Sequence, residues 1–290
     1  MKGFVVVNAY SKAEEYLYQA KRLKKEFNKR NIEFDILSND NFLLNIKDNT
    51  FISKVSDYDF CVYWDKDKYI LSMLEKIKMP LFNPVDAIIS CDDKVMTYIE
   101  LANHDLPLID TLPGLLCYSK DEKIKEETIK EVEKLGYPLV LKESYGSLGS
   151  GVYLIKNQEE LRIMMEKVKC IPHLFQKYIS TSYGRDCRII IIGHQYVGAM
   201  LRKSDKDFRS NIGAGGGATI FEPTKEMIDI AIKASEVLNL DYCGIDLLFG
   251  EKGPLICEVN SNAFFYTFER TTKINVAGKY ADYIIKKMSK

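Results

Sequence analysis

Short runs of consecutive apolar residues alternate along the chain with longer stretches in which apolar positions return every three or four residues. The first run, FVVV at 4–7, predicts a buried strand. A helix over 12–31 follows, with Leu17, Ala20, Leu23 and Phe27 on one face and Lys24 beside them. Ser11 is placed to cap it, with Glu14 and Glu15 early and basic residues late. Strands at 32–37 and 58–64, a helix at 68–77 and a short strand at 80–83 complete this part. The alternation predicts a small parallel α/β domain over 1–85. No glycine fingerprint follows its first strand, so it is expected to supply a cleft wall rather than a dinucleotide site.

Beyond residue 85 the pattern becomes more β-rich. A helix is predicted over 86–104, then breaks at Pro107, Pro113 and Gly114, then an amphipathic helix over 120–135 capped by Ser119. A strand at 139–141 ends in Lys142, and a second at 152–155 follows a glycine-rich loop. A helix at 159–168 leads to a strand at 174–178. Strands at 185–192 and 195–202 pair around Gly193 and His194. After a helix at 224–238, two apolar strands at 242–249 and 255–259 are joined by a turn of about five residues. A helix over 275–287 closes the chain. The expected fold class is α/β, with α+β character in the C-terminal part. The expected division is 1–85, 86–175 and 176–290.

Composition narrows the function classes. The chain of 290 residues is 46% hydrophobic and 28% charged, ordinary for a globular protein. Lysine plus arginine and aspartate plus glutamate both number 41, and this zero balance argues against nucleic acid as a partner. No run approaches the ~20 apolar residues of a membrane span. The N-terminus runs straight into a strand without the shape of a signal peptide. The seven cysteines are scattered, without a Cys-x-x-Cys pair, which predicts a reduced, cytoplasmic protein.

Two stretches carry candidate chemistry. The loop at 143–151 holds Gly146, Gly149 and Gly151, whose backbone N–H groups suit phosphate oxygens, and Lys142 adds a point charge. Because a strand follows the glycines and the lysine precedes them, neither a Walker loop nor a dinucleotide fingerprint fits. A plain hairpin with a flexible tip is the alternative. The second stretch is CGIDLLFGEKGPLICEVN at 243–260. Glu258 and Asn260 share one face of their strand, and Asp246 can face the same pocket from the strand before. Such oxygen donors suit Mg²⁺ with nucleotide phosphates completing its shell. Alternatively, Asp246 and Glu258 pair with Arg188, Arg202 or Arg209.

Taken together these segments resemble the ATP-grasp enzymes, specifically the RimK-like carboxylate–amine ligases. The resemblance covers about residues 86–287 and is densest in PLVLKESYGSLGSG, FQKYI with GRDCRI, DFRSNIGAGGG, and GIDLL with GPLICEVN. It implies an ATP-grasp fold preceded by the small α/β domain. It implies that Lys142 and Lys94 contact the nucleotide phosphates together with Ser147, Gly149 and Gly151 of the loop. Gln176, Lys177, Tyr178 and Ile179 match the hinge that bonds adenine, although the family often has an acid where Lys177 stands. Asp186 matches an acid near the ribose, and Arg209, Ser210 and Asn211 match a second nucleotide-contacting segment. Asp246, Glu258 and Asn260 match ligands of two Mg²⁺ or Mn²⁺ ions, with Glu258 bridging. Arg188 and Arg202 resemble arginines facing the reacting phosphate and carboxylate, where a planar fork suits the task.

The implied reaction has a substrate carboxylate attack the γ-phosphate of ATP, and an amine then displace phosphate to leave an amide. Members of the group join glutamate to a ribosomal protein, to pterin or deazaflavin cofactors, or to aminoadipate on a carrier protein. The implied partners are therefore a carboxylate acceptor (peptide, protein tail or small molecule) and an amino-acid amine, with room for a homo-oligomer. The segment after Asn260 departs from many relatives in its three aromatics, Phe264, Phe265 and Tyr266, which point either to an acceptor pocket or to core packing. Thr271, Thr272 and Asn275 suggest an anion-binding helix start. Two other readings are a non-catalytic ATP-binding scaffold and a kinase that stops at phosphoryl transfer.

Overall fold

The structure is a computed structural model that describes residues 1–11, 14–146, 149–210 and 216–289. The N-terminal unit contains β1 (Lys2–Val7), α1 (Glu14–Asn28), β2 (Glu33–Ser38), β3 (Leu44–Lys47), β4 (Thr50–Ser53), β5 (Phe60–Tyr63), α2 (Lys68–Lys76) and β6 (Leu81–Phe82). Its sheet is parallel, in the order β2-β1-β5-β6, as the alternation predicts. The apolar runs are buried because helices cover this sheet: Phe4, Val5, Val6, Phe60, Cys61 and Val62 are fully enclosed. The hairpin of β3 and β4 has no counterpart in the sequence reading. Its turn residues, Asp48 and Asn49, both take left-handed φ, 49° and 59°, the pairing that closes a tight hairpin. Its apolar residues are partly exposed, so no core-facing alternation marked it.

The expected helix over 86–104 is two helices, α3 (Val85–Asp92) and α4 (Lys94–Leu101). Asp93 interrupts them with an extended backbone, and its Oδ1 accepts from Val95 N at 2.9 Å and Met96 N at 3.3 Å. An aspartate that bonds the following N–H groups starts a new helix in preference to continuing the old one. The break sets Lys94 at the first turn of α4. Helices α3 and α4 pack on the C-terminal sheet through Ala87, Cys91 and Leu101.

The central unit has β7 (Thr111–Pro113), α5 (Glu126–Glu133), β8 (Leu139–Glu143), β9 (Val152–Ile155), α6 (Gln158–Val168) and β10 (His173–Lys177). Its sheet is antiparallel, β7-β10-β8-β9, with α5 and α6 packed on it through Ile129, Val132, Leu161 and Met165. Helix α5 begins six residues later than predicted, and the Ser119 hydroxyl accepts from Asp121 N in a local turn instead of capping it.

The C-terminal unit has β11 (Arg185–Ile192), β12 (Gln195–Lys203), β13 (Gly217–Ile220), α7 (Lys225–Val237), β14 (Tyr242–Gly250), β15 (Gly253–Asn260), α8 (Tyr266–Thr272) and α9 (Val276–Met288). Five antiparallel strands run β13-β12-β11-β14-β15. The turn between β14 and β15 is tighter than predicted, because the ladder continues to Gly250 opposite Gly253. One face packs α7, and the other shares a core with the N-terminal unit, where Trp64, Tyr242 and Phe265 meet at centroid distances of 5.3–6.3 Å. Such aromatic pairs contribute about 0.5–1.5 kcal/mol each beyond the area they bury. They anchor the segment after Asn260 against the first domain.

A second tie between these units is ionic. Glu26 on α1, 2% exposed, accepts from Arg22 at 3.1 Å, Lys29 at 2.9 Å and Arg30 at 2.9 Å. Arg22 continues to Glu269 and Asn275, and Arg30 to Asp282. Burial opposes the Glu26 charge, but bonds from Lys29, Arg30 and Arg22 outweigh it and bring the carboxyl down to about 2. A depressed carboxyl stabilises the fold above the unfolded value of 4.5, and that contribution is lost as pH falls toward 2. Glu26→Gln is therefore expected to cost about 3 kcal/mol at pH 7, read from urea midpoints. The difference from wild type should shrink steadily below about pH 4.

Candidate active site

A cavity of about 240 Å³ opens between the central and C-terminal sheets, and Tyr16 and Lys66 close one side of it from the N-terminal unit. Cationic side chains dominate its wall; Asp186, Asp246 and Glu258 are its carboxylates among the described residues.

The side of the cavity that carries the expected phosphate contacts is built by β8. Lys142, at its penultimate position, reaches 3.8 Å from Cys257 Sγ and has no carboxylate within ion-pair distance among the described residues. Lys94 reaches the same space from the first turn of α4. Its Nζ donates to Gly146 O at 2.9 Å and lies 3.7 Å from Glu258 Oε1. Burial pulls the Lys94 ammonium below its ordinary range; Glu258 opposes this, while Lys66 and Lys142 add to it. Two lysines that repel one another across an enclosed space are stabilised by an anion bound between them.

The loop turns back through Gly146, Gly149 and Gly151 at φ of 144°, 81° and 69°. Gly146, Gly149 and Ser150 lie on the wall. Gly151 does not: a Cβ there would meet Glu143 side-chain atoms at 2.9 Å, and its carbonyl accepts from Glu143 N at 2.8 Å. This bond closes the loop against β8. Ser147 and Asn211 lie outside the described residues.

Gln176, Lys177, Tyr178 and Ile179, the expected hinge, all line the cavity, beside apolar Ile109, Val140 and Leu248. Gln176 is 1% exposed; its Nε2 donates to Thr111 Oγ1 at 2.8 Å while its Oε1 has no partner. A buried acceptor of that kind costs stability unless a donor reaches it. Lys177 points its charge outward, 4.0 Å from exposed Asp110, so a lysine is tolerated at this position.

Opposite the lysines runs a buried chain of charges. Antiparallel pairing sets Asp186 opposite Arg202 and Arg188 opposite Asp246. Arg202 Nε and Nη2 bond both oxygens of Asp186 at 2.7 and 2.5 Å, and Nη2 also lies 2.8 Å from Asp246 Oδ2. Arg188 forks onto both Asp246 oxygens at 2.7 Å. Burial alone would raise the Asp246 carboxyl, but Arg188 and Arg202 outweigh it and hold it below the usual range. Asp186 also accepts from Ser210 Oγ, so it faces the cavity as a partner of Arg202 and Ser210 rather than as an open acceptor. Arg209 forks onto Asp207 and reaches across to Gly149 O at 2.8 Å, joining the two glycine-rich segments.

The three predicted metal ligands stand side by side. Asp246 pairs with Glu258 across the β14–β15 ladder, and Gly244 pairs with Asn260. Glu258 is partly exposed, and the buried Asn260 amide nitrogen has no partner. Asp246 fits less openly. Its Oδ2 accepts two guanidinium bonds, whereas Oδ1 accepts one and keeps a lone pair. Among the described residues no three His, Cys, Asp or Glu side chains already converge as a preformed metal cluster.

Of the aromatics after Asn260, Phe264 alone is on the wall, edge-on to Tyr16 at 4.9 Å. Phe265 is in the core, and Tyr266 packs on Tyr18. The suggested anion site at Asn275 is taken internally. Asn275 Oδ1 caps α9 through Gly278 N at 2.9 Å and accepts from Arg22 at 2.7 Å. Sequence reasoning missed Tyr16, Lys66 and Asn262 on the wall. For Lys66 a signal existed, since it follows a buried strand at the carboxyl edge of a parallel sheet, where open α/β sheets bind ligands.

A glycine loop and Lys142 on one antiparallel sheet, with Lys94 from a helix beside it, facing carboxylates on a second sheet across a shared cleft, are the architecture of the ATP-grasp fold. The D-alanine–D-alanine ligase of Bacillus anthracis complexed with ATP shares it, with a TM-score of 0.76 at 18% identity over 100% of this chain and 97% of that one. Residues 74–284 match the model of the RimK-like ATP-grasp domain, and the chain belongs to that family. It is 36% identical over 222 residues to human (Homo sapiens) N-acetylaspartylglutamate synthase A, covering 76% of this chain and 56% of that protein. It is also 36% identical over 154 residues to a probable alpha-L-glutamate ligase of Maridesulfovibrio salexigens, covering 52% of this chain and 51% of that one. The chain thus spans about half the length of each of these two relatives. Among the described residues, no helix is long and apolar enough to cross a membrane.

Proposed function

We propose that the chain is an ATP-dependent carboxylate–amine ligase that forms an amide through an acyl phosphate. The observation that carries this reading is that Lys94 and Lys142 share one cavity with Glu258 and Asn260. A polyphosphate is the ligand that both sets would hold at once. The names of the relatives, a synthase and a probable ligase of glutamate, agree with it.

In this reading adenine lies at the hinge 176–179, where the unpaired Gln176 Oε1 can accept its amino group. Lys94, Lys142 and the N–H groups of the glycine loop bind the phosphates. Glu258 and Asn260, with the free lone pair of Asp246 Oδ1, would hold Mg²⁺, which neutralises phosphate charge when bound. The substrate carboxylate attacks the γ-phosphate; ADP leaves, and the acyl phosphate keeps one carboxylate oxygen as its bridge. The amine then attacks the acyl carbon, and phosphate departs with that oxygen. Arg202 Nη1 makes no hydrogen bond among the described residues and is the donor left for the tetrahedral oxyanion. Arg209, by tying Gly149 to the second glycine segment, keeps water from the acyl phosphate.

A non-catalytic scaffold need not keep Lys142, Asp246, Glu258 and Asn260 around one cavity, and here all four line it. The test is ADP release from Mg-ATP across a panel of amino acids, each with and without short peptides and small carboxylic acids. One acid–amine pair is expected to raise ADP release, with a product mass equal to the sum of the two minus water. ADP formed without any amine, with the phosphate retained on an acceptor, would assign a kinase instead.

A further inference from the structure

The family match begins at residue 74, yet Tyr16 and Lys66, which lie before it, form part of the cavity wall. We propose that Lys66 reads the side-chain carboxylate of an acidic amino-acid substrate, with Tyr16 and Phe264 covering its methylenes. This inference rests on the ligase reading above.

The placement of Lys66 is fixed from beneath. Asp65, 3% exposed, accepts from Asn39 Nδ2 at 2.7 Å, Asn8 Nδ2 at 3.2 Å and the backbone N–H of Lys66 at 2.7 Å. Asn8 and Asn39 follow the carboxyl ends of β1 and β2, and Asp65 follows β5. Three strand ends therefore hold one peptide unit, and Lys66 projects from it into the crevice. Its Nζ lies 2.5 Å from Asp92 Oδ1, with side chains 39% and 22% exposed. An ion pair that open to water contributes little, so it aims the ammonium without consuming it. Two further N–H donors remain for a second carboxylate. On the wall of the same cavity, Tyr16 and Phe264 present an edge-to-face aromatic pair at 4.9 Å, an apolar surface suited to short methylene chains. The arginines nearby are committed differently: Arg188 and Arg202 are forked onto Asp246 and Asp186. Lys66 is thus the wall cation that the N-terminal unit contributes, held by a single partly exposed carboxylate among the described residues.

The probes are L-glutamate and its neutral isostere L-glutamine, titrated calorimetrically into the full chain saturated with Mg-AMP-PNP, after the nucleotide itself has been titrated. Wild type is expected to bind glutamate about 10–100-fold more tightly than glutamine, the range of one charge-assisted hydrogen bond. In Lys66→Met that ratio should fall to near unity, in Lys66→Arg much of it should return, and AMP-PNP affinity should stay within about twofold throughout. Wild type that binds glutamate no better than glutamine, or Lys66→Met that keeps the preference, overturns the inference while leaving the ligase reading intact. Failure of wild type to bind Mg-AMP-PNP overturns both.

Discussion

Lys142→Ala is expected to reduce turnover by about 10²–10³-fold, the scale seen when one preorganised donor is removed from a developing charge. Mg-ATP binding should weaken by about 10–100-fold, the worth of a charge-assisted bond. The variant should nonetheless be at least as stable as wild type. Lys142 has no carboxylate partner among the described residues, and its charge acts against that of Lys94 in an enclosed space. Removing it relieves repulsion and leaves no buried anion exposed to apolar surroundings. Calorimetric Mg-ATP affinity, steady-state ADP release and Tm together decide the point. A variant that lost activity because it lost its fold would show a lowered Tm, and that result would remove Lys142 from the phosphate site.

Arg202→Met has the opposite signature, because stability is where its largest effect falls. Arg202 is 6% exposed and joins Asp186, 4% exposed, to Asp246, 2% exposed. Without it Asp246 still has Arg188, but among the described residues Asp186 is left with Ser210 alone. Breaking a buried pair from one side costs about 3–5 kcal/mol, because the remaining charge has neither water nor partner. Urea midpoints should fall accordingly at pH 7. Asp246 has a depressed pKa in the folded protein, so its contribution is present above the unfolded value of 3.8 and is lost as pH falls. Without Arg202, burial acts on Asp246 with less opposition, and the folded variant takes up a proton there at higher pH than wild type. The gap between the two should therefore be widest near neutrality and narrow toward pH 4. Adding Asp186→Asn to Arg202→Met should recover part of the loss; a double variant as unstable as the single one would contradict the pairing. Any effect of Arg202 on catalysis is best read in Arg202→Lys, which keeps a charge between the carboxylates.

Much of this architecture was legible in the sequence because strong patterns wrote it. The run FVVV, the β-rich stretches around the glycine loop and the apolar strands ending in Phe249 and Asn260 all became strands near their predicted places. The breaks in the pattern were harder. Asp93 divides a helix that apolar periodicity alone runs through, and its capping bonds are a local competition that spacing does not display. The hairpin of β3 and β4 packs few side chains, so it left little hydrophobic signature.

The site divided in the same way. Residues on one strand face, such as Glu258 and Asn260, are brought together by pairing rules, and Asp246 stands opposite Glu258 as expected. What the sequence left open was how Asp246 is used. Metal ligation and pairing with arginine were both compatible with the composition, and register decides that Arg188 and Arg202 reach it. The loop's composition does not distinguish Gly151 from Gly146 and Gly149, and the bond of its carbonyl to Glu143 is a matter of register that the sequence does not display. Tyr16 carries no such signal, and Lys66 only its place after a buried strand; both come from a separate unit, and packing of the first sheet against the third brings them to the cleft.

The central claim is that a carboxylate oxygen is transferred to phosphate while an amide forms. The direct measurement uses the acid of the productive pair labelled with ¹⁸O in its reacting carboxylate, with Mg-ATP and the amine, followed by mass analysis of the released phosphate. The account predicts one ¹⁸O in each inorganic phosphate and one lost from each amide product. Amide formed with unlabelled phosphate, or labelled phosphate without amide, would contradict it.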